Sequence, residues 1–183
     1  MKRVLLILSR GFEELEAVAP LDLMRRAGIE MVSASAGPEL LVEGSRGIRI
    51  QADRMLGDCL SERFDMVILP GGPGVGELRK DTRVLEFVRQ AYADGVPLAA
   101  ICAAPLILAD AGILSGRTIT SFPGSKKELQ GRVKDYSEER VVEDGSIITS
   151  RGAGTAEEFA LRLVMILLGS TAAENVRSSI VAR

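Results

Sequence analysis

Aliphatic runs of strand length alternate with helix-period segments along this chain, and that alternation restricts its fold more than any other feature. Val4 to Leu8 is a continuous apolar run, and Leu15, Val18, Ala19 and Leu23 then recur at helical spacing before Gly28. Ile29 to Ala34 predicts the next strand, and Leu41 to Ile50 predicts short strands suited to a sheet edge. Asp65 to Leu69 predicts a buried strand closed by Pro70-Gly71-Gly72, with a helix over Thr82 to Ala93 after it. The pattern repeats as a strand at Leu98 to Cys102, a helix at Ala103 to Ala111 and a strand at Thr118 to Ser121. Glu139 to Val142 and Ser146 to Ser150 read as a hairpin through Asp144-Gly145, and Thr155-Ala-Glu-Glu158 reads as a capping box opening a last helix to Leu168. The expected architecture is α/β, with a mostly parallel sheet and helices on both faces. Ligands of such sheets gather at the carboxyl ends of the strands, so the chemistry is sought there. No repeat, low-complexity tract or linker divides the 183 residues, which suit one domain, 1–183.

One strand end carries a cysteine. Ala99-Ala-Ile-Cys-Ala-Ala-Pro105 puts Cys102 where a strand turns into a helix, with Pro105 in the first helical turn. Free amides at a helix start stabilise a thiolate, so the pattern predicts a Cys102 pKa below the usual value of about 8.5. The geometry is that of a nucleophile elbow without the flanking glycines of hydrolases. The competing reading of the same segment is a buried structural cysteine. Cys59, in Met55-Leu-Gly-Asp-Cys-Leu, lacks an amide-rich turn and reads as a packing or surface residue.

Two further segments stand at strand ends. Pro70-Gly-Gly-Pro-Gly-Val-Gly76 offers close-approaching amides for an oxyanion, but lacks the Lys-Ser/Thr of a nucleotide loop. Gly11-Phe-Glu-Glu-Leu-Glu16 opens the first helix. Glu13 and Glu14 read as solvated complements of the helix dipole, whereas Glu16 shares a sheet edge with Cys102 and is expected to be protonated there by burial.

Composition excludes several classes. Histidine is absent, which removes Ser-His and Cys-His pairs and the commonest metal ligand. The net charge of -2, without a basic stripe, leaves no footprint for nucleic acid or anionic membrane. The apolar stretch Val96 to Ala109 is too short to span a membrane and contains Pro97 and Pro105. Two cysteines and no secretion signal predict reduced thiols in the cytoplasm.

Together, Gly11-Phe-Glu-Glu-Leu-Glu-Ala17, Leu69-Pro-Gly-Gly-Pro73, Ala100-Ile-Cys-Ala-Ala-Pro105, Thr120-Ser-Phe-Pro123 and Ser150-Arg-Gly-Ala-Gly-Thr155 resemble the ThiJ/PfpI superfamily, in its Parkinsonism-associated deglycase branch. The resemblance spans nearly the whole chain. It implies a flavodoxin-like three-layer α/β/α sandwich of the class I glutamine amidotransferase type, a homodimer, and neither cofactor nor metal. It makes Cys102 the reactive cysteine and Glu16 the carboxyl group that hydrogen-bonds it. Gly71, Gly72 and Ala103 become backbone donors around a bound oxygen, and Arg26 and Arg46 become pocket arginines. Phe122 stands where glyoxalase-active relatives carry histidine, and Ala103 where the peptidase branch does, which argues against peptidase activity. The implied function is a cysteine-dependent stress response on reactive dicarbonyls or glycated adducts. The alternative is a non-catalytic redox sensor or chaperone in which Cys102 becomes a sulfinate.

Overall fold

Leu5 and Ile7 join one core and Val4, Leu6 and Leu8 another, so β1 (Arg3–Leu8) is buried on both faces, as an unbroken aliphatic run requires. The computed structural model describes residues 1–182. After β1 come α1 (Glu14–Arg26), β2 (Glu30–Ser35), β3 (Leu41–Glu43), β4 (Arg49–Gln51), β5 (Arg54–Met55) and β6 (Met66–Leu69). Then follow α2 (Val75–Leu78), α3 (Thr82–Ala93), β7 (Leu98–Ile101), α4 (Pro105–Asp110), β8 (Thr118–Ile119), α5 (Lys126–Leu129) and β9 (Asp135–Tyr136). The chain continues as β10 (Val141–Asp144), β11 (Ile147–Ser150), α6 (Ala156–Leu168) and α7 (Ser170–Ser179).

Seven strands form the central sheet in the order β10-β11-β7-β6-β1-β2-β5, parallel except for the β10–β11 hairpin. Register follows the buried runs: Val4 pairs with Met66, and Val67 and Ile147 with Leu98. Val84, Val88 and Ala91 of α3 and Leu106 to Leu108 of α4 cover one face. Ala17, Leu21 and Met24 of α1 and Phe159, Leu163 and Val164 of α6 cover the other, giving the three-layer α/β/α sandwich. The chain leaves β1 toward β2 on one side and later returns to β6 on the other. Their carboxyl ends therefore flank a topological switch point, where open α/β sheets bind ligands.

Several sequence expectations need correction. β3 and β4 pair with each other and not with an edge of the large sheet. Thr118 to Ser121 supplies only the two residues of β8, which pairs with β9 in a separate small sheet. Thr155 does not form the expected capping box with Glu158: its hydroxyl makes no bond to α6 but accepts from Gly152 N at 3.1 Å, donates to Gly152 O at 2.8 Å and lies 2.7 Å from Ser150 Oγ. The unforeseen α7 buries Val176 against Leu23, Ala160 and Leu161 and packs Ala172 and Ala173, partly buried, on the core beside it. Among the described residues no helix is long and apolar enough to cross a membrane.

Candidate active site

β7 ends at Ile101, one residue earlier than the apolar run suggests, because Cys102 turns to φ 65. That left-handed conformation costs a residue with a Cβ on the order of 1–2 kcal/mol and persists only where its surroundings impose it. Here the Cys102 amide donates to Ser150 O at 2.9 Å and its carbonyl accepts from Phe122 N at 2.8 Å. The chain then passes through Ala103 and Ala104 into α4, whose first residue is Pro105. The result is an elbow that holds a half-buried thiol, with the amides of Ala103 and Gly72 directed at the sulfur.

Glu16 is fully buried in the first turn of α1. Its Oε2 accepts from Gly71 N at 2.8 Å, while Oε1 is buried without a conventional hydrogen-bond partner. Oε1 and the Cys102 sulfur border one small space: a Cβ on Gly152 would lie 3.8 Å from the first and 4.0 Å from the second. The backbone around Glu16 is interlocked. Glu13 caps α1 by accepting from Glu16 N at 2.9 Å, and Glu13 N in turn donates to Gly71 O at 2.9 Å. Only glycine fits at 71, since a Cβ there would sit 2.6 Å from both Cys102 Cβ and Glu16 Oε2. Gly72, at φ 97, would place a Cβ 2.5 Å from Gly11 O.

Burial dominates the electrostatics of the pair. It pushes the Glu16 carboxyl from 4.5 up to about 7, against the opposing contacts of Cys102 and the Gly71 amide. Cys102 is pushed up to about 12, by burial first and by the Glu16 charge second, and the Ala103 and Gly72 amides only partly offset this. The lowered cysteine pKa expected from the amides alone is therefore corrected. Losing the first proton is easy, and losing the second leaves two anions in a dry pocket, so between those values the pair holds one proton. Those values leave the remaining proton on the sulfur and the charge on Glu16, and the Ala103 and Gly72 amides ease the transfer of that proton to the carboxylate when the thiolate is used.

The sulfur opens into a cleft of about 850 Å³, walled by Pro73, Ala103, Phe122, Pro123 and Ala153 and rimmed by Arg46, Arg140 and Arg151. Another cleft of about 880 Å³, between residues 60–65 and α3, has no cysteine in its wall. No cluster among the described residues is suited to hold a metal ion.

The DJ-1/PfpI family profile matches residues 2–166, nine-tenths of the chain and every element of the site. The chain belongs to the DJ-1/PfpI family. It is 41% identical to the Parkinson disease protein 7 homolog of Danio rerio over 185 residues, covering 100% of this chain and 98% of that protein. It is 35% identical to the glutathione-independent glyoxalase DJR-1.2 of Caenorhabditis elegans over 157 residues, 86% of this chain and 83% of the other. The crystal structure of Drosophila melanogaster DJ-1beta superposes with a TM-score of 0.96 at 38% identity, covering 100% of this chain and 98% of that one.

Within this DJ-1/PfpI fold the residues singled out from sequence divide into two groups. Cys102, Glu16, Gly72, Ala103, Arg46 and Phe122 all line the cleft. Gly71 lies behind it, with its amide on Glu16, so it holds the carboxyl group and is no oxyanion donor. Arg26 is on the exposed last turn of α1, paired with Asp22 at 3.0 Å, and does not line the cleft. Cys59 is fully buried against the core, and burial raises its pKa.

Glu14 is the residue that sequence reasoning misplaced. It is buried rather than solvated, accepting from Arg46 N at 2.5 Å and Ser45 Oγ at 3.0 Å. Burial works to raise its pKa, but the Arg46 amide and neighbouring donors outweigh it and the net direction is down. This carboxylate ties the β3–β4 turn to α1 and so brings Ser45 and Arg46 to the cleft. No sequence signal separates it from Glu13, because both are simply acids in a first helical turn.

Proposed function

We propose that this protein is a cofactor-independent enzyme that converts reactive 1,2-dicarbonyls such as methylglyoxal into 2-hydroxy acids, with Cys102 as nucleophile and Glu16 as proton carrier. The observation that carries this reading is the buried Glu16 carboxyl, whose Oε1 has no conventional hydrogen-bond partner and borders the Cys102 sulfur. The relative named a glutathione-independent glyoxalase supports it.

The Cys102 thiolate adds to the aldehyde carbon. A C–S bond forms, the carbonyl pair moves to oxygen beside the Gly72 and Ala103 amides, and the Glu16 proton completes a hemithioacetal. Glu16, now a carboxylate, takes the hydrogen of that carbon as a proton, and protonation of the neighbouring carbon follows. The first carbon thereby reaches the thioester level while the second is reduced to an alcohol. Water cleaves the C–S bond, releasing the hydroxy acid and restoring the thiolate and the shared proton. No outside oxidant or reductant enters. Phe122 carries no transferable proton, so one carboxyl group serves every transfer.

Steady-state formation of 2-hydroxypropanoate from methylglyoxal tests the reading. Wild type is expected to turn over and Cys102→Ser to fall to background; equal rates would remove Cys102 from the chemistry. The same unpartnered oxygen also suits a second reading, a redox sensor. Peroxide would take Cys102 to a sulfinate, and protonated Glu16 would donate to one of its oxygens. In that case wild-type turnover is itself at background.

A further inference from the structure

Phe122 is 50% exposed although it is one of only five phenylalanines in the chain, and it stands at the mouth of the reactive cleft. Its backbone is held at both ends: its amide donates to Cys102 O at 2.8 Å and its carbonyl accepts from Ser125 N at 2.9 Å. The backbone that carries the ring is therefore fixed beside Cys102. Its Cδ2 and the Cys102 sulfur lie 3.8 and 4.0 Å from the point where a Cβ on Gly152 would stand, so both border the gap this glycine leaves open. The cleft of about 850 Å³ lies within the range that holds ligands much larger than a three-carbon dicarbonyl.

Two of its three arginines are paired, and Arg46 stands at the rim. Arg140 is paired with Glu158 at 2.7 Å and bonded to Gly154 O at 2.8 Å, and Arg151 is paired with Glu138. Beside the sulfur the wall is apolar: Phe122, Pro123, Pro73, Ala103 and Ala153. Such a wall favours an apolar group and strands a charged one without a partner.

Building on the enzymatic reading above, we propose that Phe122 is a specificity-determining residue that makes the site prefer 1,2-dicarbonyls bearing an aromatic group, with the aldehyde carbon at Cys102 and the substituent packed against the Phe122 ring. Phenylglyoxal is the simplest such compound. Its ring is attached to the carbon next to the aldehyde, so with that aldehyde at Cys102 the ring lies in the cleft that Phe122 also lines. The chemistry is unchanged: one carbon is oxidised, its neighbour is reduced, water is added, and the product is 2-hydroxy-2-phenylacetate.

The test compares kcat/KM for phenylglyoxal and methylglyoxal in wild type, Phe122→Leu and Phe122→Tyr. Aromatic contact beyond simple burial is worth up to about tenfold. Wild type is expected to prefer phenylglyoxal by about tenfold or more. Phe122→Leu should lose most of that preference through a higher KM for phenylglyoxal, and Phe122→Tyr, which keeps the ring, should retain it. Because the ring is half exposed, these variants are expected to fold, and circular dichroism checks that they do. Turnover of methylglyoxal without a phenylglyoxal preference overturns the role of Phe122 and leaves the enzymatic reading standing, as does a preference that survives in Phe122→Leu. No turnover of either compound by wild type overturns both.

Discussion

The Glu16 carboxyl is the least comfortable group in the molecule. It is fully buried, one oxygen has no conventional hydrogen-bond partner beyond the neighbouring Cys102 sulfur, and its pKa is displaced from 4.5 to about 7. The displacement has a consequence for stability. The unfolded chain releases this proton near 4.5 while the folded chain keeps it until about 7, so the folded state binds more protons in between. Stability from this group is complete below 4.5, falls as pH rises toward 7, and is flat beyond, by up to about 3 kcal/mol at roughly 1.4 kcal/mol per unit. Glu16→Gln keeps the shape without the charge. Urea denaturation is expected to find the variant no more stable than wild type at pH 4.5 but more stable by about 1–3 kcal/mol at pH 8. An equal difference at both pH values would mean that Glu16 does not hold its proton as described. A polar group kept at such a cost in a protein core is the mark of a site serving function over stability.

At the scale of elements, the site is where three strand ends meet: the loop after β1 leads into the first turn of α1, which brings Glu16, the loop after β6 brings Gly71 and Gly72, and the end of β7 brings Cys102. The strands themselves were legible in the sequence because β1, β6 and β7 are continuous aliphatic runs, and α3 begins and ends where its periodicity predicts. Cys102 and Glu16 were legible for the same reason, since each follows directly from where a readable element ends or begins. Glu14 was not, because its burial depends on the β3–β4 turn folding over it from about 30 residues away in sequence. Nor was α7, a ten-residue helix whose apolar face consists of only Ala172, Ala173 and Val176. The tether that Glu14 makes is testable as an element-level property. Glu14→Ala leaves the Arg46 amide and Ser45 hydroxyl unpaired and is expected to cost about 1.5–3 kcal/mol in urea denaturation, with KM raised more than kcat is lowered. Unchanged stability and unchanged KM would show that the turn holds its place without it.

At the scale of the whole molecule, α1 and the turn beside it leave apolar side chains uncovered. Leu15 and Val18, on one side of α1, are 59% and 44% exposed, and Ile48, in the turn that Glu14 ties to α1, is 56% exposed. We expect this face to meet a second copy of the chain in a homodimer, because a two-fold axis lets one patch cover itself. Sedimentation equilibrium should give twice the 19.6 kDa chain mass for wild type and the single mass for a Leu15→Glu, Ile48→Glu double variant. A monomeric wild type would contradict the assignment. The intact protein also offers the most direct test of the shared-proton chemistry at Cys102. Steady-state turnover of methylglyoxal should be compared between wild type and Glu16→Gln, which preserves a hydrogen-bond donor but has no acid proton to transfer. The loss of an acid-base group predicts a fall of about a hundredfold or more. Robust turnover in wild type that persists unchanged in Glu16→Gln would contradict the account.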